Sequence, residues 1–338
     1  MTRSTHLIER GVRAPDFALP RDGDEPTRFY GLVGGAPAVV LFGGGADGDS
    51  RRLGAAIVDL ATQLRDVVGL RLDVHIVARH ATDDGDGAFA DADGQVHAAY
   101  GVTEGDGPAV VVLDHNVRVA AAWRLDELDD PVPTITGALP TPPVDVGRAP
   151  RLAPVLFVPD VLEPRMCDWL MGLWASEGPV ETGVETVVDG ARAEAADVRR
   201  KRRRDVTLTD QAQLRELTQH IGRRLMPEVS KAFAFDAGGF EGFKIGCYEA
   251  DTGGFFAAHR DNLSAGTAHR RFGLTLNLNE EYEGGELRFP EYGTTRYRPA
   301  AGEALVFSGS HLHEVLPVTS GRRFVLLSFL LPRRGVGT

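Results

Sequence analysis

Two stretches near the C-terminus hold the residue types best suited to chemistry. One is His259-Arg260-Asp261; the other runs from Ser308 to Phe324 and contains His311, His313, Arg322 and Arg323. Side chains two apart on a strand share a face, so His259 and Asp261 should point together into one cavity as an imidazole and a carboxylate. A second imidazole, best assigned to His313, would complete a two-His, one-carboxylate facial triad with open positions on a non-haem Fe(II). His311 has the same strand parity, so parity alone leaves the two histidines open. Thr319-Ser320-Gly321 reads as a turn before a strongly apolar strand, Phe324 to Leu331. If that turn makes a hairpin, antiparallel pairing returns Arg323 beside His313. An arginine there can hold a co-substrate carboxylate through two parallel hydrogen bonds.

These residues carry a family resemblance. His-x-Asp, then Gly284-Gly285-Glu286-Leu287-Arg288-Phe289-Pro290, then His313-x-Val-x-Pro-Val-x-x-Gly-x-Arg323 resembles the prolyl-hydroxylase-like Fe(II)/2-oxoglutarate dioxygenases over roughly residues 154–332. The resemblance implies Fe(II) on His259, Asp261 and His313, because the family's ligand directly precedes the x-Val-x-Pro-Val segment. It implies that Arg323 binds the distal carboxylate of 2-oxoglutarate and that Tyr248 lines the co-substrate pocket. The implied reaction consumes O2 and 2-oxoglutarate, releases succinate and CO2, and hydroxylates a substrate, with ascorbate as an accessory. The family fold is a double-stranded β-helix, a jelly roll. A non-catalytic scaffold or sensor is the rival reading, but a scaffold has no physical need for ligands around open coordination positions.

The elements that must position these residues read as follows. Val155 to Val158 is a strand, Pro159-Asp160 offers an N-cap, and a helix follows to about Ser176. A second helix spans about Asp210 to Phe233, with Pro227 placed to kink or break it. Short strands separated by glycine turns follow around 243–248, 255–259, 272–278, 286–289, 304–307 and 324–331, the pattern of a double-sheet jelly roll. Between the helices lies the basic run Arg199 to Arg204. It reads as a solvated charged loop or, from its position in the family, as a mobile basic lid for an anionic substrate.

Bulk properties frame the rest. A chain of 338 residues with 43% hydrophobic content suits two folded domains. The expected boundaries are 1–137, a proline-rich linker 138–153, and 154–338. The net charge is −11. Residues 1–150 carry 13 arginines against 23 acidic side chains, and the remainder is nearly balanced. An acidic field opposes general binding to nucleic acid or anionic membranes. No apolar run reaches membrane-span length, and the charged start does not read as a secretory signal. Two cysteines without metal spacing make a reducing cytoplasm the simplest compartment. The substrate can be a small molecule or a peptide.

The first half alternates α and β: strands at 38–42, 72–78, 109–113 and 117–123, and a helix over 53–68. Ala14-Pro15-Asp16-Phe17-x-Leu19, Asp93-Gly94-Gln95-Val96 and Pro108 to Asp114 resemble the peroxiredoxin branch of the thioredoxin fold. The catalytic cysteine of that family should follow strand 38–42. Here the stretch is Gly43-Gly44-Gly45-Ala46-Asp47-Gly48-Asp49-Ser50-Arg51, and residues 1–150 contain no cysteine. Serine cannot replace a thiolate in a reaction that oxidises sulfur. Recruiting a partner, oligomerisation, or bracing the oxygenase remain as roles for this half. The acidic stretch 83–93 reads as a surface loop. The purified protein should therefore not consume hydrogen peroxide with a thiol reductant faster than a chain lacking residues 1–150; a stopped-flow peroxide assay checks this.

Overall fold

The structure is a computed structural model describing residues 6–21, 26–43, 50–67, 72–79, 87–103, 105–140, 152–182, 184–188, 191–195 and 198–333. The glycine-rich stretch after residue 43, residues 83–86 of the acidic stretch and most of the proline-rich linker lie outside the described residues. The rest of the acidic stretch is not a surface loop: it holds the short strand Phe89–Ala90 and the buried Asp91. The chain divides into two compact units, Met1–Asp145 and Val146–Thr338. Among the described residues, no helix is long and apolar enough to cross a membrane.

In the first unit, the all-apolar runs Ala38–Phe42 (β1) and Ala109–Leu113 (β4) are buried on both faces. Continuous apolar strands of this kind belong at the centre of a covered sheet. Asp73–Ala78 (β2) pairs parallel to β1, and Phe89–Ala90 (β3) pairs parallel to β2. On the other side β4 pairs antiparallel to β1, and Val119–Arg124 (β5) pairs antiparallel to β4. The sheet order is thus β3-β2-β1-β4-β5. Helix Ser50–Val67 (α1) covers one face through Ile57, Ala61 and Leu64. Phe29, Phe42, Phe89 and Tyr100 fill the other.

The second unit begins with Val155–Val158 (β6) and helix Pro164–Ser176 (α2). The expected cap at Pro159-Asp160 is not used. Asp160 takes a left-handed turn, and Pro164 opens the helix, a position that suits a residue lacking an amide hydrogen. Helix Gln211–Phe233 (α3) is capped by Asp210, whose carboxylate accepts from the amides of Ala212 and Gln213, and runs through Pro227 without a break. Both helices pack Leu170, Trp174, Leu217, Ile221 and Leu225 onto the larger sheet.

All strand pairs of this unit are antiparallel. Between α2 and α3 lie Lys201–Arg202 (β7) and Arg204–Thr207 (β8). After α3 come Lys244–Glu249 (β9), Phe255–His259 (β10), Phe272–Asn277 (β11), Tyr282–Gly284 (β12), Leu287–Arg288 (β13), Arg296–Tyr297 (β14), Ala304–Ser308 (β15), His313–Val315 (β16) and Val318–Pro332 (β17). The larger sheet runs β6-β15-β11-β17-β9-β8, edged by Val180–Glu181, and the smaller runs β7-β10-β16-β13-β14. Tyr248, Tyr282, Leu287, Phe289, Phe307, Val315 and Val325 form one apolar cluster drawn from strands of both sheets, the arrangement of a jelly roll.

Two expectations change here. The basic run is not a loop. It forms β7 and β8, and the chain crosses from the smaller sheet to the larger one at Arg203. The hairpin before Arg323 is also absent: 318–332 is one strand that pairs with β12 at its start and then lies between β9 and β11. Gly321 adopts φ +70, and a Cβ there would lie 2.5 Å from the Glu281 carbonyl oxygen, so the glycine admits a close strand approach rather than a reversal. Gly321→Ala should cost about 1–3 kcal/mol of stability, seen as a lower urea midpoint with an unchanged slope.

Candidate functional site

Three side chains converge between the sheets. The ligand-type atoms of His259, Asp261 and His313 all lie within 4.8 Å of one another. His259 ends β10 and His313 begins β16, and the two are direct cross-strand partners. Their Nε2 atoms stand 3.5 Å and 3.6 Å from the two Asp261 carboxylate oxygens. Asp261 lies past the end of β10, so strand parity is not what aims it. Its amide donates to the Gly309 carbonyl at 2.9 Å, folding the carboxylate towards the histidines. The His259 Nδ1 lies 2.9 Å from the Ala257 carbonyl, and the His313 Nδ1 lies 2.9 Å from the His311 carbonyl. A carbonyl accepts, so each Nδ1 carries the proton and each Nε2 keeps a lone pair directed inward.

Electrostatics favour ligating forms. Burial alone would raise the Asp261 carboxyl, but His313, His259 and Arg270 hold it below its ordinary value. Burial lowers His313 below its ordinary value, which favours the neutral, ligating form. The Asp261 Oδ2 is buried without a hydrogen-bond partner. Gly273 leaves room beside it: a Cβ at 273 would sit 3.1 Å from that oxygen. The Phe256 ring stacks on His259 with centroids 3.6 Å apart, an anchor that the sequence reading missed.

His311 is not in the strand, which starts at His313. Its ring packs against Tyr292, with centroids 5.2 Å apart, and does not join the three-residue cluster.

Arg323 arrives from the larger sheet as the cross-strand partner of Tyr248. It is only 1% exposed. Its Nη1 donates to the Gly285 carbonyl at 2.8 Å, while Nε and Nη2 donate to the Asn277 Oδ1 at 3.2 Å and 2.9 Å. All these acceptors are neutral. Arg322 points the other way, exposed, its guanidinium over Phe324. Tyr248 is buried; its hydroxyl accepts from the Arg203 Nη1 at 3.1 Å.

A cavity of about 500 Å³ joins these groups, lined by the three converging residues together with Arg323, Tyr248 and Phe256. Lys201 and Arg203 from the basic run also line it, while Arg204 turns away to a bidentate pair with Glu249 at 2.8 Å. Arg203 is held by Asp205 at 2.6 Å and 2.8 Å, and Lys201 donates to the Thr182 hydroxyl at 2.6 Å. Alternation along β7 and β8 thus puts Lys201 and Arg203 on the cavity wall, where Arg200 from the preceding turn joins them.

Burial would raise the Asp205 carboxyl, but Arg203, Lys201 and Thr182 hold it below its ordinary value. A carboxyl with a depressed folded pKa contributes stability that is complete above its unfolded value, ~4, and is lost as pH falls through the folded value. Asp205→Asn should destabilise the protein by about 3–5 kcal/mol by leaving buried cations unpaired. Acid unfolding of the variant should show a smaller loss below about pH 4. Thermal melts at pH 7 and pH 3 measure both effects.

Part of the chain is similar to known proteins. Residues 243–331 match the 2OG-Fe(II) oxygenase superfamily. A PKHD-type hydroxylase of Synechococcus sp. (strain JA-2-3B'a(2-13)) is 34% identical over 93 residues, 25% of this chain and 41% of that protein. One from Pseudomonas fluorescens is 39% identical over 89 residues, 24% of this chain and 38% of that protein. The chain therefore spans about two-fifths of the curated relatives that it matches. A Pseudomonas putida prolyl-4-hydroxylase crystal structure aligns at 20% identity and a TM-score of 0.40, covering 54% of this chain and 94% of that one. The similarity to the 2OG-Fe(II) oxygenase superfamily thus falls within the C-terminal unit, from residue 243 to residue 331.

Proposed function

We propose that this protein is an Fe(II)- and 2-oxoglutarate-dependent dioxygenase that hydroxylates its substrate with release of succinate and CO2. The observation that carries this is one cavity with a His-Asp-His cluster and, on its wall, a buried guanidinium whose acceptors are all neutral. The cluster fits a metal. Two inward Nε2 lone pairs and an unpartnered buried carboxylate oxygen form the donor set that suits non-haem iron. When bound, Fe(II) supplies the activation of O2, with electrons drawn from 2-oxoglutarate.

The chain's own residues do the rest. His259, Asp261 and His313 hold the ion, and the Nδ1 bonds to backbone carbonyls fix both tautomers. Three of the five Arg323 donors are used by Asn277 and Gly285. Two remain for the distal carboxylate of 2-oxoglutarate. The Tyr248 hydroxyl, already accepting from Arg203, keeps its own proton to donate into the cavity. The apolar wall, including Phe307, Leu327 and Phe329, excludes water from the reacting groups.

On the substrate side, Arg200, Lys201, Arg203 and Lys244 line the cavity and favour a peptidyl or small-molecule substrate carrying negative charge. We infer that the first unit is a degenerate thioredoxin-like domain of the peroxiredoxin kind, which braces the oxygenase or docks a partner. Its support is the β3-β2-β1-β4-β5 order, parallel on one side of β1 and antiparallel on the other.

His259→Ala, Asp261→Ala and His313→Ala should each abolish iron binding, while His311→Ala should retain it. Arg323→Leu should keep iron but raise the apparent KM for 2-oxoglutarate about 10²- to 10³-fold, from a cost of several kcal/mol. Arg322→Leu is the matched control with near-normal affinity. Iron titration and 2-oxoglutarate-dependent succinate release check these outcomes; normal 2-oxoglutarate affinity in Arg323→Leu would remove Arg323 as the anchor.

A further inference from the structure

The backbone ladder between β10 and β16 is irregular where it matters. Phe256 pairs with Val315 and His259 with His313, but the register shifts between those two pairs. The ladder pairs the two histidines, but the shift cuts that pair off from the next one. A second connection lies at the edge of the cavity, which Arg260 and Leu312 help to line and Glu291 does not. Arg260, between His259 and Asp261, donates from Nη2 to the Glu291 Oε1 at 2.6 Å and from Nη1 to Oε2 at 3.1 Å. The same Oε2 accepts the amide of Leu312, the residue before His313, at 3.0 Å. Arg260 also donates to the Ser310 carbonyl, and the Asn262 side chain donates to the Ser310 hydroxyl at 2.8 Å.

Glu291 sits on the short 3-10 turn Pro290–Tyr292, which follows β13, the strand next to β16. One carboxylate thus ties three chain segments together, next to all three cluster residues but touching none. Glu291 is pulled down to about 2 by its bond from Arg260 and the Leu312 amide, so it is ionised wherever an imidazole is free to ligate.

We propose that Glu291, through Arg260 and the Leu312 amide, is a positioning residue that sets the spacing of the metal-binding histidines and carboxylate. This rests on the metal reading above. An ordinary exposed ion pair contributes little. This one differs because its acceptor oxygen is shared with a main-chain amide beside a ligand, and partners that orient ligands typically change metal affinity by 10- to 100-fold.

The test is Co(II) titration of the full-length apoprotein, followed by the visible absorption of the bound ion, with the melting temperature of the apoprotein measured alongside. Glu291→Ala should weaken Co(II) binding about tenfold and alter the spectrum. Glu291→Gln, which keeps an acceptor for Leu312, should fall between. Arg260→Met, which leaves the Leu312 amide bonded to Glu291, should also fall between, and the double variant should lose no more than Glu291→Ala alone. Glu249→Ala, which breaks an equally well formed bidentate pair with Arg204, is the control and should leave Co(II) affinity unchanged. An unaltered affinity and spectrum in Glu291→Ala overturns the proposal, as does an equal loss in Glu249→Ala. Failure of the unsubstituted protein to bind Co(II) would overturn the metal reading itself, before any variant is compared.

Discussion

Two opposite charges are kept in one cavity without being allowed to meet. Asp261 holds a buried carboxylate oxygen with no hydrogen-bond partner, and Arg323 holds a buried guanidinium with neutral acceptors only. Each alone is costly to bury. Joined, they would satisfy one another and leave nothing for a ligand. The fold prevents this by assigning them to different sheets. Asp261 follows a strand of the smaller sheet and is tethered to Gly309, whereas Arg323 belongs to β17 of the larger sheet and stands opposite Tyr248.

The rest of the second unit can be understood as support for that separation. The helices α2 and α3 cover the outer face of the larger sheet, so β17 and β9 are fixed by a core that does not involve the site. The aromatic cluster between the sheets packs directly against the site, with the Phe307 and His313 ring centroids 4.5 Å apart. Where ligand-type groups must approach, side chains are removed: Gly273 faces Asp261, and a Cβ at Gly285 would lie 3.2 Å from the Arg323 Cδ. The Arg203–Asp205 pair then closes the wall behind Tyr248 with a satisfied charge.

Much of this was legible in the sequence because the signals are local. Apolar runs such as Ala38–Phe42 and Ala109–Leu113 lie where they were expected, and Asp210 caps α3. His259, Asp261 and His313 come together although one reason given for it was incomplete: Asp261 is aimed by a bond to Gly309, not by strand parity. Arg323 faces the cavity although no hairpin delivers it; the Gly321 signal is real, but it marks a bent strand rather than a turn. The basic run misled because six adjacent charges read as solvated, whereas alternation on β7 and β8 hides Lys201 and Arg203. Phe256, Asn277 and Glu291 were invisible for a common physical reason. Each acts through a partner set by tertiary folding, and nothing in its own neighbourhood announces that partner.

Asn277 shows how closely residue type follows from the charge constraint. Its Oδ1 accepts two bonds from Arg323, and its Nδ2 donates to the Tyr282 hydroxyl and the Pro299 carbonyl, both at 2.6 Å. The amide is fully buried, so every one of those bonds replaces water that is no longer present. An aspartate of the same shape would bind the guanidinium more strongly, but it has no protons for the Pro299 carbonyl and would neutralise the charge that the cavity has kept available. An aliphatic residue would leave two Arg323 donors unmet. A neutral group that accepts on one side and donates on the other holds the arginine in place while leaving its charge to attract a ligand. That requirement is met by a side-chain amide.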